Sequence, residues 1–365
     1  MALNPKDGSI LALASSPSYN PSVYSGRVTT RELAAQGLTP KTAMERNTPA
    51  LDRALDAEYP PGSTFKPLTA IAALQEHLIK PYSFYPCTGS YVVPEDRSHR
   101  VWHNWDRFVY QGMDLPTAIA RSCDTYFYRA ANKFYLLPAG RGQPIQKWAS
   151  RFGFGRTSGS DLFPQASGLV PTIAWKRAHY TDTIDRSWKP GDSLNLAIGQ
   201  GDLTVTPLQM ARFYAAIANG GKLVTPHILM DVENPNGTIV PTAAPPAPRP
   251  ITGLDPANLK VVQQGLFQGT HDPYGTSYGV FGNFPQSISG KTGTAQKYVQ
   301  LPGYSGYKDQ SWWCGYGPSN DAKIVVCAVI ENGGEGGSAA APAAERVFAK
   351  FFNEPVPPTY YHPSD

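Results

Sequence analysis

The chain has 365 residues, with 32 Lys and Arg against 28 Asp and Glu and a formal net charge of +4. That length allows a large buried core, and its basic residues are scattered, which excludes a nucleic-acid footprint. No run approaches the roughly 18 apolar residues of a membrane-crossing helix, and no signal peptide is visible.

In chain order, Ser9 to Ala14 reads as a strand, followed by polar, Pro-rich chain to residue 60 that wraps the surface. Pro60-Pro61-Gly62 stops what precedes it, and Ser63 to Leu78 reads as a helix. Phe65, Leu68, Ile71, Ala72 and Leu74 lie on more than one of its faces, so it is expected to be buried. Residues 63–220 are mainly helical around an irregular insert, 81–112, whose Trp102, Trp105, Phe108 and Tyr110 either pack a long loop or line a peptide groove. Thr206-Pro207-Leu208-Gln209 opens a helix through Asn219, closed by Gly220-Gly221. Residues 241–250 form a Pro-rich loop, 258–270 a helix, and Ser289–Tyr298, Ser311–Tyr316 and Lys323–Glu331 strands. A last helix covers Ala339 to Phe352, and 356–365 is a C-terminal tail. Helices flanking an antiparallel sheet built from both chain ends give an α+β class with an all-helical subdomain.

Three short motifs carry the chemistry. Ser63-Thr64-Phe65-Lys66 puts a hydroxyl and an amine three residues apart, on one face of a helix. A serine hydroxyl needs a base to become a nucleophile, and a lysine serves only if its pKa falls from about 10.4 towards neutrality. Burial and a nearby cation, for which Lys291 is the candidate, both push that way. Ser122-Cys123-Asp124 adds a hydroxyl able to relay a proton and a carboxylate for the substrate backbone or a lysine. Lys291-Thr292-Gly293-Thr294 lies in an alternating stretch that suits a strand at a sheet edge. There Gly293 lets another chain approach closely, and an extended peptide adds by strand pairing. Thr292, Thr294 and Lys291 would hold a terminal carboxylate, while the N–H groups of Thr294 and Ser63 would form an oxyanion hole.

Singly these motifs are weak. Ser305 to Lys308 repeats the first spacing, and Ser18-Tyr19-Asn20, Ser193-Leu194-Asn195 and Ser319-Asn320-Asp321 fit the second. No His lies in a Gly-x-Ser-x-Gly context. His99 and His103 are four apart, but no Glu follows His99, so the metalloprotease pattern fails.

Together and in this order, the motifs match the serine/lysine set of penicillin-binding proteins and serine β-lactamases. The chain resembles the transpeptidase domain of class B penicillin-binding proteins, most closely the elongation group known as penicillin-binding protein 2. The likeness covers residues 1–355. Asn4 to Ser15 looks like the family's first strand, Asn195 to Gln209 and Glu331-Asn332-Gly333-Gly334 like characteristic segments, and Asp124 stands where many relatives carry Asn. The resemblance implies that Ser63 is acylated, Lys66 is its base, and Ser122 with Asp124 assists protonation of the leaving group. Lys291, Thr292, Gly293 and Thr294 would bind substrate. It implies a peptidoglycan D,D-transpeptidase acting on stem peptides ending in D-Ala-D-Ala and blocked by β-lactams. Its setting would be the outer face of the bacterial plasma membrane, beside a membrane glycosyltransferase, with anchor and pedestal outside this chain and no cofactor. A serine β-lactamase or D,D-carboxypeptidase shares the acylation machinery, and a β-lactam sensor would keep the same residues. Cys87, Cys123, Cys314 and Cys327 form no Cys-x-x-Cys pair. For Cys87 and Cys123 a disulfide, unlinked thiols, or a zinc site shared with His99 or His103 stay open.

Overall fold

Trp312 and Trp313 are neighbours in one strand and fill two different cores, because successive side chains of a strand point to opposite faces. That strand, Tyr304–Gly317, is second in a five-stranded antiparallel sheet ordered Ser289–Leu301, Tyr304–Gly317, Ile324–Ile330, Ala2–Leu3, Ile10–Ala12. Both chain ends therefore build the sheet: Ala2 pairs with Val326 and Leu3 with Val325. The computed structural model describes residues 1–240, 245–301 and 303–358. Residues 241–244 of the Pro-rich loop and 359–365 of the tail lie outside the described residues.

On one face, Trp313 packs with Phe281, Ile288 and Phe348, the last from the terminal helix Ala340–Phe352. On the other lies the larger core, centred on two helices that are apolar nearly all round. Lys66–Gln75 is buried from Lys66 to Leu74, as its apolar positions on several faces require. Pro207–Ala218 is buried from Pro207 to Ile217, and Thr206 with Gln209 forms its capping box. Of the described residues, no helix is long and apolar enough to cross a membrane.

The insert departs from its sequence reading. Residues 81–112 are not irregular, and the subdomain is not all-helical. Tyr85–Thr88 pairs with Tyr110–Met113, and inside that ladder Ser90–Val92 pairs with Val101–His103. This makes a nested, two-tier hairpin. Of Trp102, Trp105, Phe108 and Tyr110 only Trp102 is buried; Phe108 is 97% exposed, so packing does not account for it.

Glu331, just past the strand Ile324–Ile330, ties the sheet to the segment leading into the first motif. Its carboxylate accepts from Tyr59 OH at 2.7 Å, Arg53 Nε at 3.1 Å and Asn47 Nδ2 at 3.3 Å. Burial alone would raise its pKa, but the hydrogen bonds from Tyr59 and Arg53 outweigh it and hold the carboxyl below its ordinary value. The depressed pKa contributes stability above the unfolded-state pKa of about 4.3, and this is lost as pH falls through the folded value. Glu331→Gln is therefore expected to cost about 1–3 kcal/mol at neutral pH. Urea denaturation should also show a shallower acid loss than in the parent. An unchanged acid limb would contradict this assignment.

Candidate active site

The residues before Ser63 are clamped on two sides. Tyr59 and Val205 exchange backbone hydrogen bonds at 3.0 and 2.9 Å, and Gly62 N–H donates to Gly199 O at 2.8 Å. From the sheet, Trp312 Nε1 donates to Pro60 O at 3.1 Å. Gly62 has φ +54°, and a Cβ on it would lie 2.6 Å from Thr294 O. The chain can therefore turn against the third motif only at a glycine. Ser63 follows in a 3-10 turn, Gly62–Phe65, that runs directly into the helix Lys66–Gln75.

Lys66 is fully buried, and its Nζ donates to Ser122 O at 2.7 Å, Ser122 Oγ at 3.2 Å and Asp124 Oδ1 at 2.6 Å. Burial lowers its pKa and Asp124 opposes that shift. Of the two causes expected from the sequence, burial is the one that lowers it, and Lys291 is not among the groups that shift it. Ser122 adopts φ +56°, a left-handed conformation uncommon for serine. It links the helix Leu115–Ala120 to the helix Asp124–Tyr135. Cys123 caps the latter, accepting Tyr126 N–H on its sulfur, and is bonded to Cys87. Of the three states left open for this pair, the structure holds the disulfide, which uses both sulfurs and displaces the zinc alternative. Cys314 and Cys327, directly opposite on adjacent strands, form a second.

The third motif lies on the sheet's edge strand, as its alternation requires. Lys291 is fully buried; burial first and Lys66 second push its pKa well below the ordinary lysine value, while Asp124 raises it. Its Nζ donates to Thr292 O at 3.1 Å and Thr292 Oγ1 at 3.4 Å. Thr292 Oγ1 donates to Thr276 Oγ1 at 2.7 Å, and Thr294 Oγ1 accepts Gly336 N–H at 3.2 Å. The close approach at Gly293 is intramolecular: a Cβ there would lie 2.9 Å from Pro61 O and from Thr64 Cγ2. The glycine fits the edge strand against the Ser63 turn.

All three motifs open on one cleft of about 560 Å³, lined by Ser63, Ser122, Asp124, Thr292 and Thr294 among others. The competing serines, Ser18, Ser193, Ser305 and Ser319, are not among its lining residues. The penicillin binding protein transpeptidase domain profile matches residues 1–350. The chain belongs to the penicillin-binding protein transpeptidase family.

Among relatives in that family, the peptidoglycan D,D-transpeptidase MrdA of Salmonella typhimurium is 31% identical over 362 residues, 96% of this chain and 54% of its own length. The MrdA of Haemophilus influenzae is 31% identical over 98% of this chain and 53% of its own. The chain thus spans about half the length of these curated relatives. The crystal structure of Pseudomonas aeruginosa PBP2 in complex with WCK 5153 superposes with a TM-score of 0.79 at 35% identity, covering 96% of this chain and 72% of that one. The penicillin G acyl-enzyme complex of penicillin-binding protein A from M. tuberculosis shares the fold, with a TM-score of 0.73 at 22% identity over 96% of this chain and 73% of its own.

The transpeptidase cleft also holds residues that the motifs did not point to. Asn104 Oδ1 accepts Asp124 N–H at 2.7 Å, and Trp105 N–H donates to Asp124 Oδ2 at 2.9 Å. Gln200 Nε2 reaches Thr294 O at 3.4 Å. Of these, Gln200 falls inside the family-like segment 195–209, and Trp105 is one of the insert aromatics read as packing a loop or lining a groove. Asn104 and Thr276 belong to no local pattern.

Proposed function

We propose that this chain is the catalytic domain of an elongation-type peptidoglycan D,D-transpeptidase. One observation carries the reading: Lys66 is sealed from water with its amine on Ser122 and Asp124, and those two residues line the cleft that Ser63, Thr292 and Thr294 share. The three acceptors around Nζ use every donor of an ammonium. A neutral amine keeps its two shortest hydrogen bonds, to Ser122 O and Asp124, and frees a lone pair for a hydroxyl proton.

In the proposed reaction Ser63 Oγ attacks the carbonyl of the penultimate D-Ala while its proton passes to Lys66 Nζ. The N–H groups of Ser63 and Thr294 receive the oxyanion. Lys291 and Thr292 hold the terminal carboxylate, with Gly293 keeping the strand close to the Ser63 turn. As the C–N bond breaks, Ser122 passes the proton from Lys66 to the departing amine, and Asp124 anchors Lys66. An amine from a neighbouring stem then attacks the acyl-serine. A β-lactam would leave Ser63 acylated.

MrdA relatives are named as D,D-transpeptidases, which supports stem peptides ending in D-Ala-D-Ala as substrate. A structure 34% identical to this chain comes from a peptidoglycan synthase complex described as coordinating polymerization and crosslinking. It supports a membrane glycosyltransferase partner. Two disulfides suit an oxidising compartment, so we assign the domain to the outer face of the plasma membrane.

The test is intact-mass spectrometry over hours with benzylpenicillin, with Ser63→Ala as control. A lasting adduct absent from the variant is expected. An adduct that vanishes within seconds while drug is consumed would make the protein a β-lactamase, and no adduct would refute the acyl-serine reading. Release of D-Ala from stem peptides, with and without an acceptor amine, separates transfer from carboxypeptidase hydrolysis. No release with a lasting adduct would leave the sensor.

A further inference from the structure

The second motif is gripped from outside its own helix. Asp124 occupies the first turn of Asp124–Tyr135, where backbone N–H groups have no partner within the helix. That of Asp124 is taken by Asn104 Oδ1 at 2.7 Å. Asn104 is itself fixed: it is 2% exposed, its N–H donates to Gly89 O at 3.0 Å, and its Nδ2 donates to Asp106 O at 3.0 Å. The next residue, Trp105, donates its N–H to Asp124 Oδ2 at 2.9 Å. One carboxylate oxygen therefore faces a backbone amide and the other faces Lys66 at 2.6 Å. A carboxylate free to turn would offer both oxygens to the ammonium and hold its proton more tightly. The Cys87–Cys123 disulfide fastens the same hairpin to the same motif, as do two hydrogen bonds: Thr125 Oγ1 donates to Thr88 O and accepts Thr88 N–H, at 2.8 and 2.9 Å.

We infer that Asn104 is a positioning residue for the acyl-transfer reaction. By fixing the Asp124 backbone and presenting the Trp105 amide to Asp124 Oδ2, it sets how strongly Asp124 holds the proton on Lys66. The inference rests on the acyl-serine reading of this cleft. Lys66 faces two charged groups, Asp124 from the helix Asp124–Tyr135 and Lys291 from the edge strand. Asp124 also acts on Tyr128, whose phenol is pushed up by burial first and Asp124 second. His103 and Arg107 of the hairpin line the same cleft.

The test compares the parent with Asn104→Ala and Asn104→Asp in the whole chain, using a fluorescent penicillin in stopped flow across pH. Binding is resolved from the acylation step. Asn104→Ala is expected to slow acylation about tenfold while changing binding by less than about twofold. Asn104→Asp keeps the size and an acceptor for Asp124 N–H, but adds a negative charge beside the pair. Its half-maximal acylation should move about one pH unit to the alkaline side. A merely structural role predicts a lower melting temperature with the parental acylation step and pH profile per folded molecule, and that result would overturn the inference. If Asn104→Ala does not fold, the Asn104→Asp profile decides alone. If the parent takes no adduct at Ser63, the acyl-serine reading falls instead. The titration of Lys66, followed by nitrogen NMR in the parent and Asn104→Asp, then decides the positioning role: an alkaline shift supports it and no shift refutes it.

Discussion

Lys66→Met is expected to slow acylation of Ser63 by penicillin about 10³-fold at neutral pH, within the range for losing a positioned general base. Methionine fills most of the volume of the buried stem, so the helix Lys66–Gln75 keeps its packing, whereas alanine would also open a cavity. The change leaves Asp124, 8% exposed, without its cation. Removing one partner of a buried pair costs roughly 3–5 kcal/mol. Rates must therefore be normalised to the folded fraction. The pH profile adds a second, signed readout. Burial lowers the Lys66 pKa and Asp124 opposes it, so acylation in the parent should rise with pH through a value below the ordinary lysine pKa. Asp124→Asn removes the opposing anion, lowers the Lys66 pKa further, and should move that rise to lower pH. Acylation by Lys66→Met within tenfold of the parent, or an alkaline move in Asp124→Asn, would remove Lys66 from the role of base.

Gly199→Ala should damage both stability and acylation although residue 199 carries no chemistry. Its φ is +75°, and a Cβ there would lie 2.1 Å from Gly62 O and 2.9 Å from Gly62 N. Left-handed backbone costs an L-residue about 1–2 kcal/mol. The obstacle is backbone rather than a flexible side-chain tip, so residues 59–62 must retreat. That breaks the Gly62 to Gly199 hydrogen bond, worth about 1 kcal/mol. We expect a loss of roughly 3–5 kcal/mol in chemical denaturation. Acylation should fall about 100-fold per folded molecule, the scale of a 1 Å misplacement of a reacting group. Gly220→Ala is the control, because Gly220 also has positive φ, +82°, but nothing lies within 4 Å of its Cβ. Equal losses in the two variants would mean that strain alone is at work and that the clamp on the Ser63 turn is unimportant.

The chemistry of this cleft was legible where it is written in short, contiguous strings. Ser63 to Lys66 share a helical face by spacing, and Lys291 to Thr294 sit in an alternating run that became the edge strand Ser289–Leu301. The buried helix Pro207–Ala218 announced itself through Thr206 and Gln209. These signals are local, and hydrophobic period and capping chemistry need no knowledge of the rest of the fold. Tertiary structure decided everything that depends on which distant segments meet. Tyr85 pairs with Met113 across an insert with no clean alternation, so the nested hairpin was invisible. Asn104 meets Asp124 across 20 residues, Thr276 meets Thr292 across 16, and Gln200 meets Thr294 across 94. Cysteine spacing left the Cys87–Cys123 linkage open until the hairpin brought the two sulfurs together. The same division explains Gly293, whose need for a close neighbour was readable, while the identity of that neighbour, the turn before Ser63, was not. A residue's type states which partners it requires; only the folded chain, through long-range register and packing, selects them.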